Sequence, residues 1–161
     1  MIYTFTLNLP PTAKGRPRVA MRGKGDAARP TMYTPPKTVS FEAAVAHAAR
    51  AAMGPVVLEG PIRLDMLLVL PRPGRLMRKS DPSGLVYAPK KPDRDNMEKA
   101  VMDGMSSCWR DDAQVVRGEP IKVYAEKNGR PRTMVRVEVL DEGKGLPGLL
   151  DWIVRPGPTE E

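Results

Sequence analysis

The first residues of the chain alternate between apolar and polar side chains. The apolar positions are Tyr3, Phe5, Leu7 and Leu9. Successive side chains of a strand point to opposite faces, so this alternation predicts a half-buried strand over residues 2–9. We expect that strand to end at Pro10 and Pro11, because proline cannot donate to a sheet ladder.

Two later segments have helical periodicity. Apolar residues that recur every three or four positions from Phe41 predict a helix over 38–53, which ends at Gly54 and Pro55. A second helix is predicted over 95–107. Its apolar face is formed by Met97, Ala100, Val101, Met105 and Cys108.

The remaining strands are read from longer apolar runs. Ile62 to Leu70 is apolar on both faces, which predicts a central strand. Residues 119–126 and 132–140 predict a hairpin with Asn128-Gly129 in its turn. Between these elements, 12–37 and 71–92 are loops rich in proline and basic residues, the first with a short strand near Thr31 to Thr34.

The order strand, helix, strand, helix, hairpin predicts a mixed β-sheet covered by two main helices. This is an α+β fold, or α/β sandwich. A chain of 161 residues is enough for one such domain. We place that domain at residues 1–142. Residues 143–161, rich in glycine and proline, are predicted to be a C-terminal appendage.

Composition excludes several classes of protein. No apolar run approaches the roughly 18 residues that a membrane helix needs, and the N-terminus lacks the features of a signal peptide, so we expect a cytoplasmic protein without a membrane partner. The single cysteine, Cys108, excludes an intramolecular disulfide. The single histidine, His47, argues against a Cys/His zinc site and against a histidine-based catalytic triad.

The charge distribution indicates a polyanionic partner. The chain has a net charge of +7. Residues 141–161 hold five acidic and two basic residues, which leaves a net +10 for residues 1–140. A surplus of this size suits binding to nucleic acid, which is driven by the release of counterions.

Against this basic background, aspartates occur in two pairs around the second predicted helix. Asp93 and Asp95 lie at the junction between the preceding loop and this helix, and Asp111 and Asp112 follow the helix. If the sheet folds the second pair beside the first, their oxygens suit a hard cation such as Mg²⁺, which can activate water for phosphodiester hydrolysis.

Each part of this constellation also has a structural interpretation. Asp95 with Glu98 fits an acidic capping box at the start of a helix. Asp111-Asp112 fits a turn. Lys99 is one helical turn from both Asp95 and Asp103, so it could form a surface ion pair. Beside a bound phosphate, the same ammonium could stabilise developing negative charge. Spacing alone leaves both interpretations open.

The central block resembles the RusA family of Holliday-junction resolvases, including its phage-borne members. The family pattern is D-x-D-N-x-x-K-A, an aspartate four residues after the lysine, then W-x-D-D-x-Q-V. It is matched by the runs Asp93 to Ala100, Asp103, and Trp109 to Val115. Weaker likenesses are Leu9-Pro10-Pro11, the basic Lys14 to Arg18, and Tyr33-Thr34-Pro35. The likeness spans about residues 3–140.

The resemblance implies a Mg²⁺-dependent endonuclease (Mn²⁺ is an alternative ion) that acts as a homodimer and resolves four-way DNA junctions by paired nicks. Carried over by position, it implies that Asp93, Asp95 and Asp112 bind metal and that Lys99 is the catalytic lysine. Asp103 and Asp111 are expected to support the metal-binding residues or to cap a helix or turn. The residues expected to contact DNA are Lys14, Arg16, Arg18, Lys90, Lys91, Arg94 and Asn96.

One segment departs from the family pattern. The family often has several arginines just before the first aspartate, whereas this chain has Pro89-Lys90-Lys91-Pro92. The two lysines keep positive charge at this position but not the bidentate geometry of arginine.

Two other functions remain open at this point. One is a nuclease with the same chemistry that cuts flaps, forks or other branched DNA. The other is a non-catalytic module that binds junctions. The non-catalytic module is disfavoured because clustered carboxylates do not help a protein that only binds phosphate.

Overall fold

The protein folds as one mixed sheet with two main helices on one face and a separate two-stranded ribbon. The computed structural model describes residues 1–23, 25, 28–143 and 145–146. The helices are α1 (Pro36–Met53) and α2 (Arg94–Gly104). The strands are β1 (Ile2–Leu7), β2 (Arg18–Arg22), β3 (Arg29–Tyr33), β4 (Ile62–Leu70), β5 (Val86–Tyr87), β6 (Val115–Arg117), β7 (Pro120–Tyr124) and β8 (Arg132–Val139). The predicted α+β fold is confirmed.

Strand β4 lies at the centre of the sheet, as its apolar run predicts, although one of its faces carries the half-buried Arg63 and Asp65. The strand order is β1-β8-β4-β7-β5, with β6 pairing beside the start of β4. Strand β8 pairs antiparallel to β4 over nearly its whole length. On the other edge, β6 and then β7 pair with it in parallel. Side chains at alternate positions of β4, such as Leu64 and Leu68, are buried under the helices.

The predicted hairpin of 119–126 and 132–140 is wrong. Both segments are strands, β7 and β8, but they do not pair with each other because β4 lies between them. Strands β7 and β8 instead occupy opposite edges of β4, so that the backbone groups of this central strand have hydrogen-bond partners on both sides.

Smaller differences occur at the ends of elements. Helix α1 begins at Pro36, two residues before the predicted start, because proline is favoured in the first turn of a helix. Helix α2 ends at Gly104, not at 107. Strands β2, β5 and β6 were not predicted, because they have only two to five residues, too few for a clear alternation of apolar and polar side chains. Residues 147–161, most of the predicted appendage, lie outside the described residues, so that prediction stays untested.

Helices α1 and α2 pack closely against each other and against the sheet. Helix α1 buries one face through Thr38, Phe41, Val45, Ala49 and Met53. The contact with α2 depends on Gly104, where a Cβ atom would lie 2.8 Å from the Glu42 backbone oxygen and 2.8 Å from Val45 Cβ. Neither helix in the described part of the chain is long and apolar enough to cross a membrane.

Substitution of Gly104 tests this contact. Gly104→Ala should destabilise the protein by about 1–3 kcal/mol, because backbone and core atoms must move to admit the methyl group. This loss should outweigh the better helix propensity of alanine. Gly84→Ala is the matched control, since nothing lies within 4 Å of a Cβ at that position. Denaturant unfolding measures both, and equal stabilities for the two variants would contradict the close helix contact.

Candidate active site

The start of α2 presents two carboxylates that do not cap the helix. Asp93 is the N-cap residue, but its side chain makes no capping hydrogen bond. Asp95 lies in the first turn and is exposed, so its interpretation as the N-cap residue is wrong. Neither carboxylate is therefore used as a hydrogen-bonding cap. The positive end of the helix favours negative charge in this turn.

The chain after α2 returns towards that helix through a buried tryptophan. Trp109 is only 3% exposed, and its ring Nε1 donates a hydrogen bond to Asp112 Oδ1 at 2.8 Å. The preceding residue is anchored to the core, because Leu58 N–H donates to the Cys108 oxygen at 2.7 Å. A rigid apolar side chain thus fixes one oxygen of Asp112.

Asp111 and Asp112 have different tasks. The Asp111 side chain accepts from Ala113 N–H at 2.7 Å, and Gln114 Oε1 accepts from Asp111 N–H at 3.1 Å. These bonds cap the single 3-10 turn Asp112–Gln114. The interpretation of the pair as a turn therefore applies to the Asp111 side chain, while the Asp112 side chain points into a cleft.

That cleft has a volume of about 270 Å³. It is lined by Asp95, Glu98, Lys99, Met102, Asp103 and Asp112. Three of the four predicted catalytic residues, Asp95, Lys99 and Asp112, thus meet at one place. Asp93, the fourth, is not among the lining residues. The lining carries four carboxylates and one ammonium, so the cleft has an excess of negative charge in a protein of net charge +7.

One carboxylate of the cleft is neutralised from outside it. The Lys14 ammonium contacts Asp103 Oδ2 and lies 2.8 Å from Glu42 Oε1. Burial lowers the pKa of Lys14, but hydrogen bonds to Asp103 and Glu42 and the charges of both carboxylates outweigh burial and raise it. Asp103 therefore pairs with Lys14, and no ion pair of Lys99 is found among the described residues. Glu42 was not among the predicted site residues, because no motif or spacing relates it to the aspartates.

Lys14 also attaches the first basic loop to α2. Its backbone N–H donates to the Asn96 oxygen at 2.8 Å, and the next residue, Gly15, donates to Thr38 Oγ1 at 3.1 Å. The loop is thus fixed to both helices. The ammonium of Lys14 is engaged with protein carboxylates in this structure, and its predicted contact with DNA stays a prediction.

The other predicted DNA-contacting residues lie around the N-terminus of α2 and on the first basic loop. Arg16 and Arg18 are exposed, as are Lys90 and Lys91. Lys122 Nζ donates to the Lys90 and Pro92 oxygens at 2.8 and 2.9 Å, which holds the backbone of residues 90–92 in place. Arg94 is also exposed, and Asn96 is half-buried. Their roles stay predictions.

The donor set fits a divalent ion bound by few protein ligands. No group of three histidine, cysteine, aspartate or glutamate side chains among the described residues is arranged to hold a metal. Asp95 and Asp112 nevertheless line one cleft, and hard ions such as Mg²⁺ are often held by one or two carboxylates plus water and substrate phosphate. The two aspartates meet that requirement.

Comparison with known proteins identifies the family. Residues 8–138 match the model of the family described as Endodeoxyribonuclease RusA. The chain belongs to the RusA family. It is also 30% identical over 139 residues to the uncharacterized protein YqaN of Bacillus subtilis (strain 168), a match that covers 83% of this chain and 93% of YqaN.

Membership of the RusA family confirms the resemblance and makes the protein an endodeoxyribonuclease, a hydrolase that acts on DNA. The family implies endonuclease activity on Holliday junctions in DNA recombination, and its nucleases are generally metal-dependent. The matched range contains every residue that lines the acidic cleft.

The bond from Trp109 to Asp112 gives a prediction about metal binding. Trp109→Phe keeps an aromatic ring in the core but removes the N–H that orients Asp112. We expect divalent-ion affinity to fall by about tenfold, as for other residues that orient a ligand, while the protein stays folded. Titration with Mn²⁺ measures this. Tyr87→Phe, at an exposed aromatic residue outside the cleft, is the control. Unchanged Mn²⁺ affinity of Trp109→Phe would show that this bond does not position a metal ligand.

Proposed function

We propose that this protein is a Mg²⁺-dependent, structure-selective endonuclease that resolves four-way DNA junctions by paired symmetric nicks. The observation that carries the proposal is the meeting of Asp95, Asp112 and Lys99 in one open acidic cleft. Carboxylates concentrated in a basic DNA-acting protein repel phosphate unless a cation lies between them. A divalent ion is therefore the natural bridge between this cleft and its substrate.

Asp95 and Asp112 are the proposed metal ligands, and Asp93, the N-cap residue of α2, is a third candidate. The bound ion would supply activation of water and neutralisation of charge on the phosphate. Trp109 orients Asp112. Lys14, by pairing with Asp103, limits the excess of negative charge beside the ligands.

Lys99 is the proposed catalytic lysine. Its ammonium lines the cleft one helical turn from Asp95 and is exposed. From this place it can stabilise charge on the scissile phosphate or on the leaving oxygen. Because Lys14 already pairs with Asp103, Lys99 is available for the substrate.

The DNA path is proposed to follow positive charge on both sides of the cleft. Arg16 and Arg18 extend from the loop that Lys14 fixes to α2. Lys90, Lys91 and Arg94 surround the N-terminus of the same helix, where backbone N–H groups also favour phosphate. Asn96 follows in its first turn.

Substitution of Asp95 tests the proposed chemistry. Asp95→Asn should abolish cleavage of a labelled four-way junction in Mg²⁺ and leave junction binding intact or tighter, because the amide keeps the side-chain volume but removes a ligand charge that repels phosphate. Asp141→Asn, at an exposed aspartate outside the cleft, should cleave normally. Near-normal cleavage by Asp95→Asn would exclude Asp95 as an essential ligand.

The same assay distinguishes the alternative functions. A panel of labelled four-way junctions, forks, flaps and linear duplexes shows whether cleavage is selective for junctions or extends to other branches. A protein that binds junctions but cleaves none of the panel across a range of Mg²⁺ and Mn²⁺ concentrations is the non-catalytic module.

We also propose that the active form is a homodimer. A four-way junction has two-fold symmetry, and one chain supplies one acidic cleft, so two symmetric nicks require a second chain. A closed two-fold dimer is the commonest oligomer that meets this need.

Mixed dimers test this assembly. Wild-type chains combined with Asp95→Asn chains should form dimers that nick one strand and stall before the second. A supercoiled cruciform plasmid would then accumulate as a nicked circle, whereas wild-type dimers linearise it. A monomer in sedimentation at micromolar concentration, with paired cutting retained, would overturn the dimer model.

A further inference from the structure

The β2–β3 ribbon is exposed on both faces. Its two strands pair antiparallel from Arg18 opposite Tyr33 to Arg22 opposite Arg29. Every residue of both strands is exposed. The ribbon pairs with no strand of the main sheet, so it makes little contribution to the core and is available for another task.

The two faces of the ribbon differ in chemistry. The register places Val19 opposite Met32 and Met21 opposite Pro30, on one face. The intervening pairs, which include Arg18, Arg22 and Arg29, lie on the other face. Val19, Met21 and Met32 are 64%, 65% and 69% exposed. One face is thus apolar and the other basic.

The ribbon begins beside the acidic cleft. Arg16 and Arg18 follow Lys14 directly, and the Lys14 ammonium contacts Asp103 in the lining of the cleft. Five paired residues span about 17 Å at the usual rise of a strand. DNA with a scissile phosphate in the cleft would therefore lie within reach of the ribbon.

Charge favours DNA as the occupant of this surface. Residues 16–34 contain five basic residues and one acidic residue, a balance that repels another copy of the same ribbon and attracts phosphate. A two-stranded ribbon also has the width that a DNA groove admits. The apolar face of the ribbon gains nothing from contact with phosphates. Within DNA, the apolar surface that it can cover is the exposed face of a base.

We propose that the ribbon is a specificity-determining element that recognises the branch point of DNA. Its apolar face covers a base pair that has lost a stacking neighbour, and its arginines hold the adjacent phosphates. Apolar side chains are known to insert at base steps, at the cost of unstacking them. At a branch point the base pairs have already lost a stacking neighbour, so this cost is smaller there. A linear duplex has no open base face between its ends. This inference rests on the proposed action on branched DNA.

The test replaces the apolar face and compares two DNAs. The triple variant Val19→Thr/Met21→Gln/Met32→Gln should bind a four-way junction about tenfold more weakly, and a linear duplex of the same length should bind as before. Fluorescence anisotropy without Mg²⁺ measures both. The change in fluorescence of 2-aminopurine at the branch point, expected with the wild-type protein, should be lost.

Two further variants serve as matched controls. Val56→Thr/Val57→Thr changes exposed valines outside the ribbon and should bind both DNAs normally. Arg18→Gln/Arg22→Gln should weaken binding to junction and duplex alike and reduce the salt dependence, because it removes phosphate contacts. Circular dichroism checks that each variant is folded.

Three outcomes would overturn the proposal. These are unchanged junction affinity of the triple variant, an equal loss on junction and duplex, or conversion of a dimer to a monomer with the junction preference retained. The last would make the apolar face a contact between two copies of the chain.

Cleavage of the junction in Mg²⁺ by the wild-type protein is scored separately. Selective binding that depends on the ribbon but occurs without cleavage would refute the proposed function and keep this inference. Cleavage of the junction by the wild-type protein, together with an unaltered junction preference in the triple variant, would refute this inference and keep the proposed function.

Discussion

The pairing of β4 along both edges, with one face buried under the helices, is the constraint on which the rest of the fold depends. A strand in this position needs apolar side chains on its buried face and a hydrogen-bonded partner on each side. The β8 strand occupies one edge, and β6 and β7 occupy the other. Because β6 must reach the start of β4, the chain leaving α2 has to turn back, and Asp112 is brought beside the helix that carries Asp95.

The candidate active-site cleft combines the carboxylates that the proposed chemistry needs with the electrostatic repulsion among them. Four carboxylates in one cleft destabilise the folded protein unless cations are near. Lys14 supplies one such cation from the first basic loop, and it attaches that loop to α2 through its backbone. A bound divalent ion would supply the rest. Stability and ion binding are therefore coupled at this place.

Positive and negative charge are separated in a way that suits cutting DNA. Arg16 and Arg18 follow Lys14 in the first basic loop, Lys90 and Lys91 precede α2, and all four are exposed and absent from the lining of the acidic cleft. In the proposed function, phosphates are attracted over a wide surface, while only the one that meets the proposed ion-binding carboxylates is in place for hydrolysis. The β2–β3 ribbon adds an exposed apolar surface, for which we propose an open base face as the counterpart.

Local pattern by itself determined the elements with strong periodicity and the residues with distinctive chemistry. The alternation at Phe5, the spacing around Val45 and the apolar run of β4 each reflect burial that repeats along the chain, so the sequence shows it directly. The motif around Asp95, Lys99 and Asp112 likewise identified the family, because its residue types and spacings are specific.

Only the tertiary structure decided which distant segments meet. Strands β7 and β8 look like a hairpin in sequence, but β4 separates them, and strand pairing is decided by burial over the whole sheet. The partner of Asp103 is Lys14 and not Lys99, although Lys99 is closer in the chain, because the packing of α1 against α2 at Gly104 brings Glu42 and the first loop to that side. Local periodicity carries no information about such contacts, since they depend on how whole elements fill space.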